Sequence, residues 1–358
     1  MENVWLDGMM GLIIGDALGV PVQFLSRKEI ARRPQGLVKG MEGYGTYNMP
    51  KGTWSDDGSM ALATLDSIFT RSKIDPEDIM KRFVNWELKG HYTQYGRAFD
   101  QGITCSNAIY NYINGVVVEE CGMTGERSNG NGSLMRILPA CIFCGLKELK
   151  REENVGKSVT DKGEVGENIG ETINVGKSVE LEDIHKVSGL THNHLRSKIA
   201  CGIYYYIVKE ILAWRMKGKP GNDEDTLFKL LQKGIDEALK KYGADKENIN
   251  ELAYYNRILT LAKFKETNER DIRSSGYVVD TLEAALWCLI TTSSYEECLL
   301  KVVNLGDDTD TVAAVAGGLA GLYYGVKGIP KEWIECVSDR EMIEEFFEEV
   351  HLRMLANI

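Results

Sequence analysis

Runs of lysine and arginine are missing from this 358-residue chain, whose formal net charge is −11. General nucleic-acid binding needs cation clusters set against phosphates, so that class is excluded. A nucleotide-like ligand held by backbone amides stays compatible with the charge. A paired cysteine framework is missing too: eight cysteines are scattered, several inside apolar helical text such as "AALWCLI". Reduced, mostly buried thiols follow. "CIFC" at Cys141–Cys144 has redox spacing, yet its apolar filling and the following Gly145 read as the end of a core helix. The opening "MENVWLDGMM" has no basic region, so no signal peptide is apparent. The apolar stretch behind it is broken by Asp16, and the run Val312–Gly325 is too short to span a bilayer. A cytoplasmic, monomeric protein without membrane association is the expectation.

Convincing strand signals are few, and helix signals dominate. "SRKEI" carries a capping box, Ser26 and Glu29 three apart. "DPEDIMKRF" offers Asp75 as N-cap with Pro76 at the first helical position. Helical periodicity recurs in "HLRSKIACGIYYYIVKEILAW", "TLFKLLQKGIDEALKKY", "DTLEAALWCLI" and "EEFFEEVHLRML". The pattern predicts an all-α protein of a dozen or so helices packed as one domain over 1–358. One stretch, residues 149–182, turns polar and repeats "NVGKSV" at Asn154–Val159 and Asn174–Val179; it reads as a surface insertion. Its "GKS" fails the phosphate-loop pattern, because Arg151 and Glu171 stand where the leading glycine belongs.

Two rows of glycines recur at intervals of four, Gly11, Gly15 and Gly19, then Gly317, Gly321 and Gly325. Such rows allow two helices to approach closely, and each costs about 1 kcal/mol relative to alanine in a helix interior. The elements carrying "GDALG" and "GDDTDT" are therefore expected to meet near a crowded centre.

Acidic and hydroxyl residues lead into helices at two places, "GTWSDDGSMAL" and "GDDTDTVAA". Either alone is explained by helix capping. Asp56 and Asp57 cannot both cap one helix, however, and Asp308 with Asp310 exceed what a cap needs. If the loops meet, four carboxylates repel one another unless cations intervene. Oxygen ligands without nearby histidine or cysteine suit Mg²⁺ or Mn²⁺.

Together "GLIIGDALGVPVQF", "GTWSDDGSMAL", "GRAFDQGITC", "SNGNGSLMRILP", "LTHNH" and "NLGDDTDTVAAVAGGLAGLYYG" resemble the ADP-ribosylglycohydrolases, including the dinitrogenase-reductase-activating type. The matches run in order from Met10 to Gly325, with residues 149–182 outside them. The resemblance implies an all-α fold and a metal-dependent hydrolase with two Mg²⁺ or Mn²⁺ ions, cleaving ADP-ribose from an ADP-ribosylated substrate of unspecified acceptor. It implies that Ser55, Asp56 and Asp57 ligate one ion, Asp310 bridges, and Asp308 and Thr311 complete the second. Asp100 matches an aspartate near the ribose, His192 a histidine near the ligand, and the loop Asn129, Gly130, Asn131, Gly132, Ser133 through Arg136 a phosphate-wrapping segment. The loop alone also reads as a turn before a helix, with Arg136 structural or facing the pyrophosphate. Asp56 or Asp57 is expected to help activate water, Asp100 to act beside them. Many members carry glutamate where this chain has Gln23, which can ligate or donate a hydrogen bond but cannot serve as a base. Alternative readings are a non-catalytic ADP-ribose-binding module and a binuclear-metal phosphoesterase.

Overall fold

The computed structural model describes residues 3–160, 179–219 and 225–356. Among them are sixteen α-helices and no strand. The first half comprises α1 (Val4–Gly19), α2 (Arg27–Arg32), α3 (Asp56–Arg71), α4 (Pro76–Lys89), α5 (Ile103–Ile113), α6 (Leu138–Thr160), α7 (Val179–Gly189) and α8 (Leu195–Met216). The second half comprises α9 (Thr226–Gly243), α10 (Lys246–Leu252), α11 (Leu261–Lys265), α12 (Val278–Ile290), α13 (Tyr295–Val303), α14 (Thr309–Tyr324), α15 (Lys331–Cys336) and α16 (Arg340–Ala356).

Local chemistry starts these helices where the sequence places their caps. The Ser26 N–H donates to Glu29 Oε2 at 2.8 Å, while the Glu29 N–H donates back to the Ser26 hydroxyl. Asp75 accepts from the Asp78 N–H, with Pro76 opening α4. Tyr204, Tyr205 and Trp287 are core residues, and all eight cysteines are free thiols, seven of them buried.

The centre is a pair of helices buried on nearly every side. In α1 every residue from Gly8 to Gly19 is buried, and in α14 every residue from Thr309 to Tyr323. A helix apolar all round belongs inside a fold. Val4–Val22 is long and apolar enough to cross a membrane, but 89% of that window is buried inside this one. Glycine makes the pair possible. A methyl group on Gly15 would lie 2.1 Å from the Ala313 carbonyl oxygen, and one on Gly11 2.3 Å from that of Gly317. One on Gly19 would lie 2.4 Å from Asp310 Cα, and one on Gly321 2.3 Å from the Asp7 carbonyl oxygen. Partners fall in number along α14 as they rise along α1, so the helices run antiparallel with backbones touching. The row on α14 is Ala313, Gly317 and Gly321; Gly325, expected in it, instead ends the helix at φ +75°. At this end Asp7 is buried, paired with Arg215, and accepts from the Val326 N–H.

Two expectations need correction. The polar stretch from Leu149 is helical at both described ends, because α6 runs on to Thr160 and α7 starts at Val179. Glu180 and Leu181 are buried, and Glu180 is held by Arg151 at 2.8 Å. The rest of that segment, residues 161–178 with most of the second "NVGKSV", lies outside the described residues. Cys141–Cys144 lies near the start of α6, not at the end of a helix, since apolar periodicity marks a helix without marking which end is near.

Gly15→Ala is expected to destabilise the fold by about 3 kcal/mol or more, because backbone atoms on both helices would have to separate. Gly243→Ala, where an added methyl meets nothing within 4 Å, should stay within roughly 0.5 kcal/mol of the parent. Urea unfolding of the two variants measures the contrast.

Candidate active site

Because α1 and α14 are antiparallel, the C-terminal end of one lies beside the N-terminal start of the other. Asp16 and Asp310 are brought to the same end by that register. The start of α3 completes the cluster: carboxylate oxygens of Asp16, Asp57 and Asp310 all lie within 4.8 Å of one another. Asp16 holds α3 in place by accepting from the backbone N–H groups of Ser55, at 2.9 and 3.0 Å, and Gly58, at 2.8 Å. A carboxylate is well placed against the exposed amides of a helix start.

Inside the cluster, the Ser55 hydroxyl donates to Asp57 Oδ2 at 3.0 Å and the Thr311 hydroxyl approaches the same oxygen at 3.4 Å. Asp310 Oδ1 accepts the Thr311 N–H at 2.8 Å. Asp308 sits at the N-cap position of α14 without capping it; its Oδ2 instead accepts from the Asn131 side-chain amide at 2.7 Å. Tyr47 donates its phenol proton to Asp100 Oδ1. Four buried oxygens are left without any hydrogen-bond partner: Asp57 Oδ1, Asp310 Oδ2, Asp100 Oδ2 and Gln23 Oε1.

Elsewhere among the described residues the five acids that are buried outright each have a cation, while half-buried Glu87 keeps one unpartnered oxygen. Asp7 pairs with Arg215, Asp78 with Arg71 and Arg82, Glu180 with Arg151, Glu210 with Lys233, and Glu283 with Arg257. No such ion pair involves Asp16, Asp56, Asp57 or Asp310 among the described residues. Burial, then mutual repulsion, lifts Asp56, Asp57 and Asp310 well above the ordinary carboxylate range. Burial also raises Asp16, to about 7, despite its backbone hydrogen bonds. The donor set is oxygen only, its free oxygens converge, and its charge is uncompensated. These residues fit a hard divalent cation such as Mg²⁺ or Mn²⁺. The cluster of Glu126, His194 and Glu251 is different, because Arg196 already bonds both carboxylates, at 2.7 and 2.8 Å.

The acids open onto a cavity of about 260 Å³. Of the residues expected at the site, Gln23, Asp56, Asp100, Gly130, Asn131, Gly132, His192, Asp308 and Thr311 line it; Ser55, Asp57 and Asp310 are buried, Asp57 and Asp310 accepting from Thr311 and Ser55 donating to Asp57. The glycine loop is tied across the cavity by the Asn131 N–H, which donates to the Gly276 carbonyl at 3.0 Å, and by the Val278 N–H to the Asn129 carbonyl. A Cβ on Gly132 would lie 2.8 Å from both Cys105 Sγ and His192 Cε1, so only glycine lets the loop pass. Burial, with Arg136 nearby, pushes His192 down to about 3, keeping it neutral.

Two loop residues face inward rather than toward a ligand. Asn129 bonds the Ser197 hydroxyl and the Glu126 carbonyl, and Ser133 bonds Ser188 beside Cys201. They brace the loop, and motif membership alone does not distinguish bracing from lining. Arg136 is structural: it is buried, bonds Val187 and Thr191, and lies over the Phe83 ring. His194 caps α8. Sequence reasoning treated Asp16 only as a break in an apolar run; the available signal was that a lone acid there needs a partner. Tyr47, Phe24 and Cys105 were missed as cavity neighbours.

A family model described as ADP-ribosylglycohydrolase matches residues 5–165 and 173–357, leaving only 166–172 of the polar stretch outside. The chain is 31% identical to ADP-ribosylarginine hydrolase Tri1 of Pseudomonas putida (strain GB-1), over 96% of this chain and 76% of that protein. It is 29% identical to ADP-ribosyl-[dinitrogen reductase] glycohydrolase of Rhodospirillum rubrum, over 92% and 88%. A solved structure titled ADP-ribosylglycohydrolase-related protein complex superposes with a TM-score of 0.67 at 26% identity, covering 98% of this chain and 97% of that one.

Asp310→Asn is expected to raise the unfolding midpoint of the metal-free protein at pH 7.5 by a few degrees, or about 1 kcal/mol. A carboxyl raised in the fold contributes stability below its unfolded value and loses it as pH rises through the folded one. The gain should therefore vanish near pH 4. His192, in ¹⁵N-histidine spectra, should show no titration between pH 5 and 8; a midpoint near 6.5 would contradict its burial.

Proposed function

Since the chain belongs to the ADP-ribosylglycohydrolase family and is a glycohydrolase, we propose that it hydrolyses the glycosidic bond between ADP-ribose and an acceptor in a divalent-metal-dependent reaction. The observation that carries this reading is the contrast in charge pairing. Five buried acids elsewhere each hold an arginine or lysine, while the acids behind the cavity hold none and keep unpartnered oxygens. Leaving such charge uncompensated is too costly to serve stability.

Two Mg²⁺ or Mn²⁺ ions, held by Ser55, Asp56, Asp57, Asp308, Asp310 and Thr311, with Asp16 beside them, would supply charge neutralisation and polarise sugar oxygens. The remaining work belongs to the chain. Asp56 reaches the cavity, whereas both oxygens of Asp57 are turned inward, so Asp56 is our choice for the base that takes a proton from the attacking water. The water oxygen bonds to the anomeric carbon as the bond to the acceptor breaks, and the acceptor departs with that proton. Asp100, fixed by Tyr47, places a second carboxylate where positive charge grows on the sugar. The Gly130–Gly132 turn, with neutral His192 behind it, leaves the Gly130 and Gly132 amides for a pyrophosphate, the Asn131 amide being held by Gly276. Gln23 contributes a hydrogen-bonding wall rather than a base.

Linkage-defined ADP-ribosylated substrates, incubated with Mg²⁺, with Mn²⁺ and with a chelator, test the reading. Intact ADP-ribose is the expected product, released only with metal. Asp56→Asn and Asp310→Asn should each lower kcat by about 100-fold or more while the helical circular-dichroism signal persists. Full activity in chelator would sink the metal dependence, and release of phosphate or a mononucleotide would favour a phosphoesterase instead.

A further inference from the structure

Arg27 opens α2 and does not line the cavity. Its guanidinium forms no ion pair among the described residues, and all three nitrogens donate to backbone carbonyls. Nε bonds Leu305 at 2.7 Å, Nη1 bonds Glu269 at 2.5 Å, and Nη2 bonds Ile272. Bonds from a charged donor are the stronger kind. A planar fork reaches three carbonyls at once, an arrangement that the single ammonium of lysine does not reproduce.

The three carbonyls belong to two segments distant in sequence, and Arg27 stands on a third. Each of these segments reaches the cavity within a few residues, at Gln23, Gly276 and Asp308. The first segment is zipped to the acidic loop. The Phe24 N–H donates to the Asp307 carbonyl at 2.6 Å, and the Asp307 N–H donates to the Leu25 carbonyl at 2.8 Å. A Cβ on Gly306 would lie 2.7 Å from the Arg27 backbone nitrogen, so the chains touch there. Phe24 and Asp307 are both left-handed, at φ +66° and +61°, a conformation that surrounding contacts must hold in place.

The segment beyond Ile272 is tied to both loops of the site. The Ser274 carbonyl accepts the Asp308 N–H at 3.0 Å, and the Ser274 hydroxyl donates to the Gly306 carbonyl at 2.8 Å. The Gly276 carbonyl accepts the Asn131 N–H at 3.0 Å. A Cβ on Gly276 would lie 3.1 Å from Asp308 Oδ2, the oxygen that the Asn131 side chain bonds at 2.7 Å. Asp308 and Asn131 are therefore both set against residues 274–276, and Arg27 pins the start of that segment to the start of the acidic loop.

We infer that Arg27 is a positioning residue for the hydrolytic site: by fixing residues 269–272 against Leu305, it holds the acidic loop of Asp308 in register with the glycine loop of Asn131. The effect on turnover rests on the hydrolase reading above, whereas the placement is measurable without turnover.

Hydrogen exchange read by mass spectrometry on the metal-free protein, together with kcat per folded molecule, compares the parent with Arg27→Ala, Arg27→Lys and Arg270→Ala. Arg270, a neighbouring arginine with an 81% exposed side chain, is the control and should match the parent. Arg27→Ala should speed exchange in peptides covering 129–132, 272–278 and 304–309 by about 10-fold or more, and by a larger factor than in residues 8–16 of α1. Its kcat per folded molecule should fall about 10- to 100-fold, since small misplacements at a distance are enough for such losses. Arg27→Lys keeps the charge without the fork and should lie closer to the alanine variant than to the parent in both readings. Should Arg27→Ala not fold, Arg27→Lys carries the same comparison. Equal acceleration in α1 and in the three peptides, with kcat per folded molecule unchanged, would reveal a contribution to overall stability alone and overturns the inference. Full activity in Arg27→Lys overturns it as well. A parent that releases ADP-ribose from no linkage overturns the hydrolase reading, and the exchange pattern then still decides whether Arg27 sets the two loops.

Discussion

Everything at this site depends on two helices touching backbone to backbone. The contact between α1 and α14 has no room for a single methyl group at Gly11, Gly15, Gly19, Gly317 or Gly321. Helices normally stand 8–10 Å apart because side chains intervene. Removing them fixes both register and depth, and register decides which ends meet. Asp16, one position past Gly15, and Asp310, against Gly19, inherit their proximity from that contact. Flexible side chains could not hold two buried carboxylates together against their repulsion; a rigid backbone seam can.

The two ends of the seam show how context decides the meaning of a buried acid. At one end Asp7 meets Arg215 and ties the chain together. At the other Asp16 meets helix amides and more acids, with free oxygens nearby. The residue type and the burial are the same. What separates structure from chemistry is the partner, which is why motif spacing points to the clustered acids but does not by itself reveal Asp16.

Legibility from sequence followed the range of the interaction involved. Capping chemistry acts over three residues, and Ser26–Glu29 and Asp75–Pro76 start their helices as the text indicates. Glycine spacing reported the seam because close approach leaves a period, although the text could not tell that Gly325 closes the helix. The acidic blocks were readable because adjacent acids exceed what a cap requires. Direction was not readable. Asn129 and Ser133 share a loop with Asn131, yet they turn into the core, and that depends on Ser197 and Ser188 far along the chain. Tyr47 reaches Asp100 across 53 residues, a pairing that no local pattern encodes.

The seam also has a consequence for how the molecule is made. Its halves lie at residues 4–19 and 309–324, so their contact joins segments about as far apart as this chain permits. A ribosome that has delivered 300 residues has delivered α1, α3 and the glycine loop, but neither the helix that covers α1 nor Asp308 and Asp310. Until α14 emerges, an apolar helix waits without its partner, the kind of exposed surface that chaperones occupy. The acids acquire their shared geometry only in the last part of synthesis. The order of the sequence thereby sets when this site comes into being.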